Sequence, residues 1–477
     1  MTIADPIVQR FSNHLLELYD DPYKEPDEIL LNEFEDKIRY DDIVKEDTSM
    51  LGQLAPLILQ IINSNDTTAI TKNYAIKFLD ILLPHYSFNQ IITIFSPDLL
   101  LKAFQGNDNL KRVIAKILQR TDSSKIVNAP LFLCLFKTFA NPETSLSTVN
   151  EVQKAIVSVT LESDQIRQMY LNNIDIVHLL NGMKHDKIVQ SRVIDLVCQV
   201  LIVVPLLPTS IYLVSEEELA RSNDLLFYRF CVGTWQTLLN QVHYDDSLLF
   251  LKEKMKPQID FCCRKFVGEK TLIDDKEIFF DYDDFGTVYF LITVSFVFPD
   301  YFRDYNSKYN IIKYASETYR QYSKSLTFLS GVNTVFMRDS EELFENLKLS
   351  NATVKLFCRL LNDRTILNER LTVDKFPPTI FDKLVFDDIF EIFGTLCDDN
   401  LLIKKLITDW SNIVKRVISF NIVNNVILVS DSLKVYLEKI LKSGVSLGEL
   451  EEPVREKLKK IKGVFTITVE EPLTENM

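Results

Sequence analysis

The stretch from Asn173 to Pro205 constrains the fold more than any other, because it sets out two short helices, a tight turn and a stop in one line. Ile174, Ile176, Val177, Leu179 and Leu180 are apolar at helical spacing, and Gly182, which takes a positive φ without steric cost, stands where that helix is due to end. After a brief turn, Asp186 is placed to accept hydrogen bonds from the first free N–H groups of a second helix. There Val189, Val193, Leu196, Val197, Val200 and Val204 recur at three- and four-residue steps until Pro205 closes the run. Neither helix alone buries so wide an apolar face. Each needs its partner, and the pair needs another pair on either side, which predicts a stacked helical repeat.

The length agrees. At 477 residues the chain exceeds the roughly 250–300 residues at which one compact core stops growing. With 11 glycines and 16 prolines, and no Gly/Ser-rich or Pro-rich linker, the sequence offers no place to cut it into separate domains. Apolar residues, 47% of the chain, supply the core, and 25% charged residues keep a two-sided array in solution. The expected fold class is all-α: an α-solenoid of degenerate HEAT/armadillo-like helix pairs wound into a C-shaped superhelix. Residues 1–463 form one continuous array in this reading, with 1–48 as its N-terminal cap and 449–463 as its C-terminal capping helix. Residues 464–477 are expected to be an extended or disordered tail.

Apolar periodicity places helices at Pro6–Tyr19, Pro26–Tyr40, Met50–Asn63, Thr67–Leu83, Phe88–Phe95, Pro97–Phe104, Asp108–Leu118, Pro130–Phe139, Leu146–Leu161 and Gln165–Leu171 ahead of the opening stretch. Beyond it come Asp224–Tyr244, Ser247–Met255 and Gln258–Phe266. Glu269–Asp284, acidic and aromatic, is expected to be a long loop leading into a buried helix at Thr287–Phe298. Tyr301–Tyr322, Glu341–Leu361, Ile380–Cys397, Asn400–Ser419 and Asp431–Lys442 complete the series. The last helix is the best signposted. Glu449, Glu451 and Glu452 complement its positive end, Pro453 fits its first turn, and Lys457, Lys459, Lys460 and Lys462 crowd its negative end before Gly463.

Composition excludes several function classes. A formal charge of −14 is the wrong sign for a surface that grips a phosphate backbone. Seven scattered cysteines without zinc spacing, and no N-terminal basic-then-apolar signal, point to a reducing compartment, the cytoplasm with the nucleus as a second location. No apolar run is long and uninterrupted enough for a membrane span. There is no Gly-rich phosphate loop, and no two of the five histidines lie four residues apart with an acid between them. Cys262 and Cys263 are adjacent, but neighbouring side chains on a helix diverge, so they are packing residues. The sequence therefore predicts no catalytic residues, no cofactor and no metal.

What remains is recognition by surface. A stack of helix pairs offers a long face made by one helix of each pair, and partners dock on it without a compact pocket. On the second helix of the opening stretch the polar side carries Lys187, Gln190, Ser191, Asp195 and Gln199. The candidate partner-binding set is Asn150, Lys154, Lys187, Gln190, Ser191, Asp195, Tyr228, Arg229, Asp281, Asp283 and Asp284.

Two resemblances narrow the reading. Asp186 followed six residues later by Arg192 resembles the aspartate–arginine spacing of HEAT repeats. The segments Phe78–Phe104 and Met169–Val197 resemble the fungal HEAT-repeat chaperone that assembles the base of the proteasome regulatory particle. The matching positions are Asp80, Leu82, Pro84, Phe88, Ser96, Leu100, Lys102 and Ala103, then Asn172, Asn173, Arg192, Ile194 and Asp195. The resemblance covers about residues 70–205. It implies a non-enzymatic, C-shaped chaperone whose concave face binds the C-terminal helical domain of one AAA ATPase subunit. Such a protein pairs ATPases, keeps the immature base off the core particle and then leaves. It also implies a link to mismatch repair, with no direct hold on nucleic acid and no membrane contact. Two other functions fit the architecture: a general HEAT/armadillo scaffold or transport adaptor, and an accessory factor in mismatch repair.

Overall fold

The computed structural model describes residues 6–21, 23–40, 49–120, 122–222, 224–244, 246–269, 271–273, 276–278, 285–420 and 427–464. These divide into two compact units, Met1–Lys254 and Met255–Met477. The first holds α1 (Pro6–Asp20), α2 (Glu28–Tyr40), α3 (Ser49–Asn63), α4 (Ala69–Leu82), α5 (Phe88–Ile94), α6 (Pro97–Ala103), α7 (Asp108–Leu118) and α8 (Ala129–Ala140). It continues with α9 (Leu146–Glu162), α10 (Asp164–Asn172), α11 (Ile174–Gly182), α12 (Lys187–Val200), α13 (Glu216–Ser222), α14 (Leu225–Tyr244) and the single turn α15 (Leu251–Lys254).

Helix starts in this unit follow local chemistry. Thr68, Ser87, Ser96, Asn107, Asn128, Ser145, Ser163, Asn173 and Asp186 each accept a hydrogen bond from a first-turn amide of the helix that follows. Front helices α4, α7, α9, α12 and α14 neighbour one another in succession, with α3, α6, α8 and α11 behind them. Ser145 and Thr148 at the start of α9 bond to Asp108 at the start of α7, while Ser158 near its end bonds to Gln119 just past the end of α7. The two front helices therefore run in the same direction, as in a stack of like pairs. Between them and the rear layer lie fully buried rings: Phe11, Phe34, Tyr74 and Phe78 in one cluster, and Phe132, Phe136 and Tyr170 in another. Arg120 ties successive repeats by donating to the carbonyls of Leu83 and Tyr86 at the C-terminal end of α4, where the helix leaves acceptors unpaired.

The second unit holds α16 (Lys256–Phe266), β1 (Thr271–Ile273), β2 (Lys276–Ile278), α17 (Phe285–Val297), α18 (Pro299–Tyr309), α19 (Ile311–Thr318), α20 (Ser323–Gly331) and α21 (Glu341–Asn346). Then come α22 (Val354–Leu361), α23 (Arg364–Glu369), α24 (Phe386–Leu396), α25 (Asn400–Thr408), α26 (Ser411–Ser419), α27 (Ile427–Lys442) and α28 (Glu451–Val464). Its front helices α17, α20, α22, α24 and α26 succeed one another as in the first unit, and α28 packs on α26 and α27. Arg416 repeats the Arg120 device, donating to the carbonyls of Phe381 and Leu384. Each unit is thus a stack of helix pairs, the α-solenoid architecture expected from periodicity.

Several details depart from the sequence reading. Gly182 stays right-handed, with φ −70°, and leads into a 3-10 turn at Met183–His185 in place of a left-handed cap. α12 ends at Val200, five residues before Pro205, and the Val200 carbonyl accepts the amides of Val203 and Val204 in a closing turn. Ser247–Met255 supplies only a 3-10 turn at Asp246–Leu248 and the one turn of α15. Part of the expected loop Glu269–Asp284 is an antiparallel hairpin pairing Thr271 with Ile278 and Ile273 with Lys276. The expected helix Tyr301–Tyr322 breaks at Asn310, whose φ of 51° lies in the left-handed region that asparagine tolerates. Glu341–Leu361 and Asn400–Ser419 are each two helices, and Ile380–Lys383 belongs to a 3-10 turn ahead of α24. Short helices α13, α20 and α23 had no sequence expectation. The expected tail lies, from residue 465 onward, outside the described residues.

The start of α23 is the most heavily bonded cap. Asp363, 5% exposed, accepts from the amides of Thr365 and Ile366, from the Thr334 hydroxyl at 2.9 Å and from Arg338 at 3.0 Å. Asp363→Ala is expected to lower stability by about 2 kcal/mol in chemical denaturation, because it uncaps the helix and leaves buried donors unmet. Asp363→Asn, which keeps a capping oxygen, is expected to cost less.

Candidate functional site

On the front layer of the first unit, α4, α7, α9 and α12 together line a polar groove of about 600 Å³. α7 contributes Arg112 and Lys116, four residues apart and so on one helix face. α9 contributes Ser147, Asn150, Glu151 and Lys154 at the same three- and four-residue steps, with Gln153 beside them. α4 adds Asp80, and α12 adds Asp195 and Gln199.

The side chains are joined from helix to helix. Lys116 bonds to Asp80 at 2.6 Å. Gln119, beyond the end of α7, donates to the Glu151 carboxylate at 2.7 Å, and Lys154 meets the same carboxylate at 2.9 Å. Gln153 donates to Asp195, which also accepts from Gln199 at 2.9 Å. These bonds hold neighbouring repeats in register along the groove wall.

Burial alone would raise the Glu151 carboxyl, but the bonds from Gln119 and Lys154 and the charges of Lys154 and Lys116 outweigh it and hold the group below the usual carboxylate range. Asp260 and Asp363 in the second unit behave alike: burial pushes each up, and hydrogen bonds with nearby positive charge pull each below its ordinary value. Folded-state values below the unfolded ones, which are about 4, stabilise the protein above that pH. That contribution is lost as pH falls through the folded values. The denaturation midpoint is therefore expected to be higher at pH 7 than at pH 3, falling mainly below about pH 4; a flat profile between these limits would contradict the assignment.

Three of the residues picked from sequence, Asn150, Lys154 and Asp195, come together in this groove. Lys187, Gln190 and Ser191 belong to a different contact at the start of α12. There Lys187 lies 4.5 Å from the Phe227 ring centroid, Gln190 donates to Glu218, and the Ser191 hydroxyl bonds back to the Lys187 carbonyl at 2.8 Å. Gln190 and Tyr228 are 2% and 1% exposed, so both are packing residues beneath the surface rather than part of it. Their polar atoms misled the reading, since a long or amphipathic side chain on a stacked helix is also a means of joining repeats. Arg229 is exposed. Asp281, Asp283 and Asp284 lie outside the described residues. Asp80, Arg112, Lys116, Ser147, Glu151 and Gln153 were missed, although the four-residue step from Arg112 to Lys116 on a strongly two-sided helix was a usable signal.

The groove is suited to binding by charge and hydrogen bonds. Elsewhere, burial pushes the Cys198, Cys231 and Cys263 thiols up, and Cys358 and Cys397 up to about 12, so these thiols are protonated at neutral pH and poor nucleophiles. Among the described residues, no three His, Cys, Asp or Glu side chains are grouped to hold a metal ion, and no helix is long and apolar enough to cross a membrane.

Residues 12–239, a little under half of the chain, match the profile of the family described as DNA mismatch repair protein HSM3, N terminal domain. The chain resembles that family over this stretch, which contains the whole groove. No curated protein sequence matches at a significant level. Among solved structures, Kap95p from a complex with RanGDP aligns with a TM-score of 0.43 at 11% identity, over 95% of this chain and 66% of that one. An engineered protein aligns at 0.33 and 12% identity, over 96% of this chain and 99% of that one. SYS-1/POP-1 aligns at 0.22 and 11% identity, over 96% and 99%. Likeness at this level bears on neither partner nor activity.

Proposed function

We propose, on the match of residues 12–239 to the HSM3 N-terminal domain, that this helical-repeat chain is a non-enzymatic chaperone for assembly of the proteasome regulatory-particle base. In this reading it holds the C-terminal helical domain of an AAA ATPase subunit, promotes its pairing with neighbouring base subunits and keeps the immature base from docking on the core particle. The family match carries the proposal. The groove across α7, α9 and α12 supports it by offering a docking face of mixed charge, with Asn150, Lys154 and Asp195 inside it, Lys187 and Ser191 on α12 and Arg229 on α14, the next front helix. Asp281, Asp283 and Asp284 are proposed as a second acidic contact. The work belongs to the cytoplasm and nucleus, where the base is built.

The family bears the name of a mismatch-repair protein, but a chain of formal charge −14 is ill suited to gripping duplex DNA. We therefore read a repair effect as passing through protein partners. Affinity capture of the full chain from a eukaryotic lysate, followed by mass spectrometry, is expected to recover base ATPase subunits without the core particle. Recovery of transport cargo or kinases in their place would favour the general scaffold, and tight binding to mismatched duplex at physiological salt would favour direct repair.

A further inference from the structure

The charges in the groove are not evenly settled. Lys116 is matched by Asp80 and Lys154 by Glu151. Arg112 has no carboxylate partner among the described residues: its polar contact is the Ser147 hydroxyl at 3.5 Å, and its Nε is buried without a hydrogen-bond partner. At the other end, Asp195 is held by two neutral carboxamides, those of Gln153 and Gln199, and meets no cation among the described residues. Between them Asn150 is exposed and spends its amide on no hydrogen bond among the described residues. The groove thus presents an unmatched positive charge on α7, a free carboxamide on α9 and an unmatched negative charge on α12.

We infer that this groove reads the polarity of a partner helix, taking a segment whose carboxylate faces Arg112 and whose cation faces Asp195. The inference rests on the proposed ATPase-binding function and names the chemistry that the docking face selects. Arg112 reaches Ser147 and Asp195 is bonded to Gln153, both on α9, so the two charges flank that helix and a partner's carboxylate and cation must straddle it. Arg112, part-buried and with its terminal guanidinium nitrogen near the exposed Ser147 hydroxyl, offers a carboxylate a charge-assisted bond. A helix docked in the reverse direction would set cation against Arg112 and carboxylate against Asp195. Like charges in contact make that register costly, so the arrangement selects direction and partner more than it adds affinity.

The test measures binding between the full chain and the ATPase subunit recovered by the affinity capture. Arg112→Glu and Asp195→Lys are each expected to weaken binding about tenfold or more at low salt. Arg112→Glu is also expected to flatten the salt dependence, and reversing one carboxylate on the partner helix is expected to restore binding to Arg112→Glu alone. Should Arg112→Glu fail to fold by circular dichroism, Arg112→Gln carries the same comparison. If both charge reversals leave affinity within twofold of the unaltered protein, the inference is overturned while the chaperone reading stands, because the complex still forms. If the unaltered protein binds no ATPase subunit, the chaperone reading itself fails and takes the inference with it.

Discussion

Trp410→Ala is expected to destabilise the second unit by about 3–5 kcal/mol, the range for removing a large buried aromatic side chain. Trp410 is fully buried, and its indole N–H donates to the Phe376 carbonyl at 3.0 Å. Its ring lies 5.4 Å from Phe381 and 5.9 Å from Phe357, and Lys405 sits 5.0 Å from its centroid. Truncation opens a cavity beside these two rings and orphans a carbonyl at the same time. Trp410→Phe keeps part of the packing and loses the hydrogen bond, for an expected cost nearer 1–3 kcal/mol. Urea denaturation followed by circular dichroism gives the stability. With only two tryptophans in the chain, fluorescence of Trp410→Ala reports on Trp235 alone and hence on the first unit. An unchanged midpoint for the second unit would show that the Trp410 pocket is not part of its core.

Leu196→Ala makes the matching test in the first unit, with an expected cost of about 2–5 kcal/mol. Leu196 is 0% exposed on α12, the front helix between α9 and α14. It is also the neighbour of Asp195, whose carboxylate faces the groove. The two substitutions separate packing from recognition. Leu196→Ala is expected to reduce partner binding only in proportion to the unfolded fraction, and a stabilising osmolyte should restore it. Asp195→Lys is expected to reduce binding with circular dichroism unchanged. If Leu196→Ala melts with the unaltered protein, α12 does not face the core as described.

Ahead of α12, periodicity and capping residues placed helix ends within a residue or two of those observed, because Asp, Asn, Ser and Thr caps act through bonds to their own first turn. In the second unit the same method joined helices that the chain separates. Tyr301–Tyr322 kept an apolar rhythm across Asn310, where only the backbone turns left-handed. Glu341–Leu361 ran across Ser350–Thr353, whose mutual bonds form a turn of their own before α22. An apolar pattern survives such a break when both pieces bury against the same layer, so it marks a helical region better than a single helix.

The site was less legible than the fold. Asn150, Lys154 and Asp195 were visible as polar residues on a helix with an apolar side, and they line the groove. Gln190 and Tyr228 carried the same signal and are buried, Gln190 against Glu218. Arg112 and Asp195 gained meaning only when Lys116 was found on Asp80 and Lys154 on Glu151, since a charge is unmatched only relative to its neighbours.

Helix and turn, apolar side and polar side, were decided within the chain's local stretches, because 3.6-residue periodicity and caps act over a few residues. Which polar residues join repeats, which are buried and which stay free to meet a partner was decided only by packing. Those properties depend on side chains 36 and 42 positions away, as Lys116 depends on Asp80 and Gln153 on Asp195, and no local pattern carries that information.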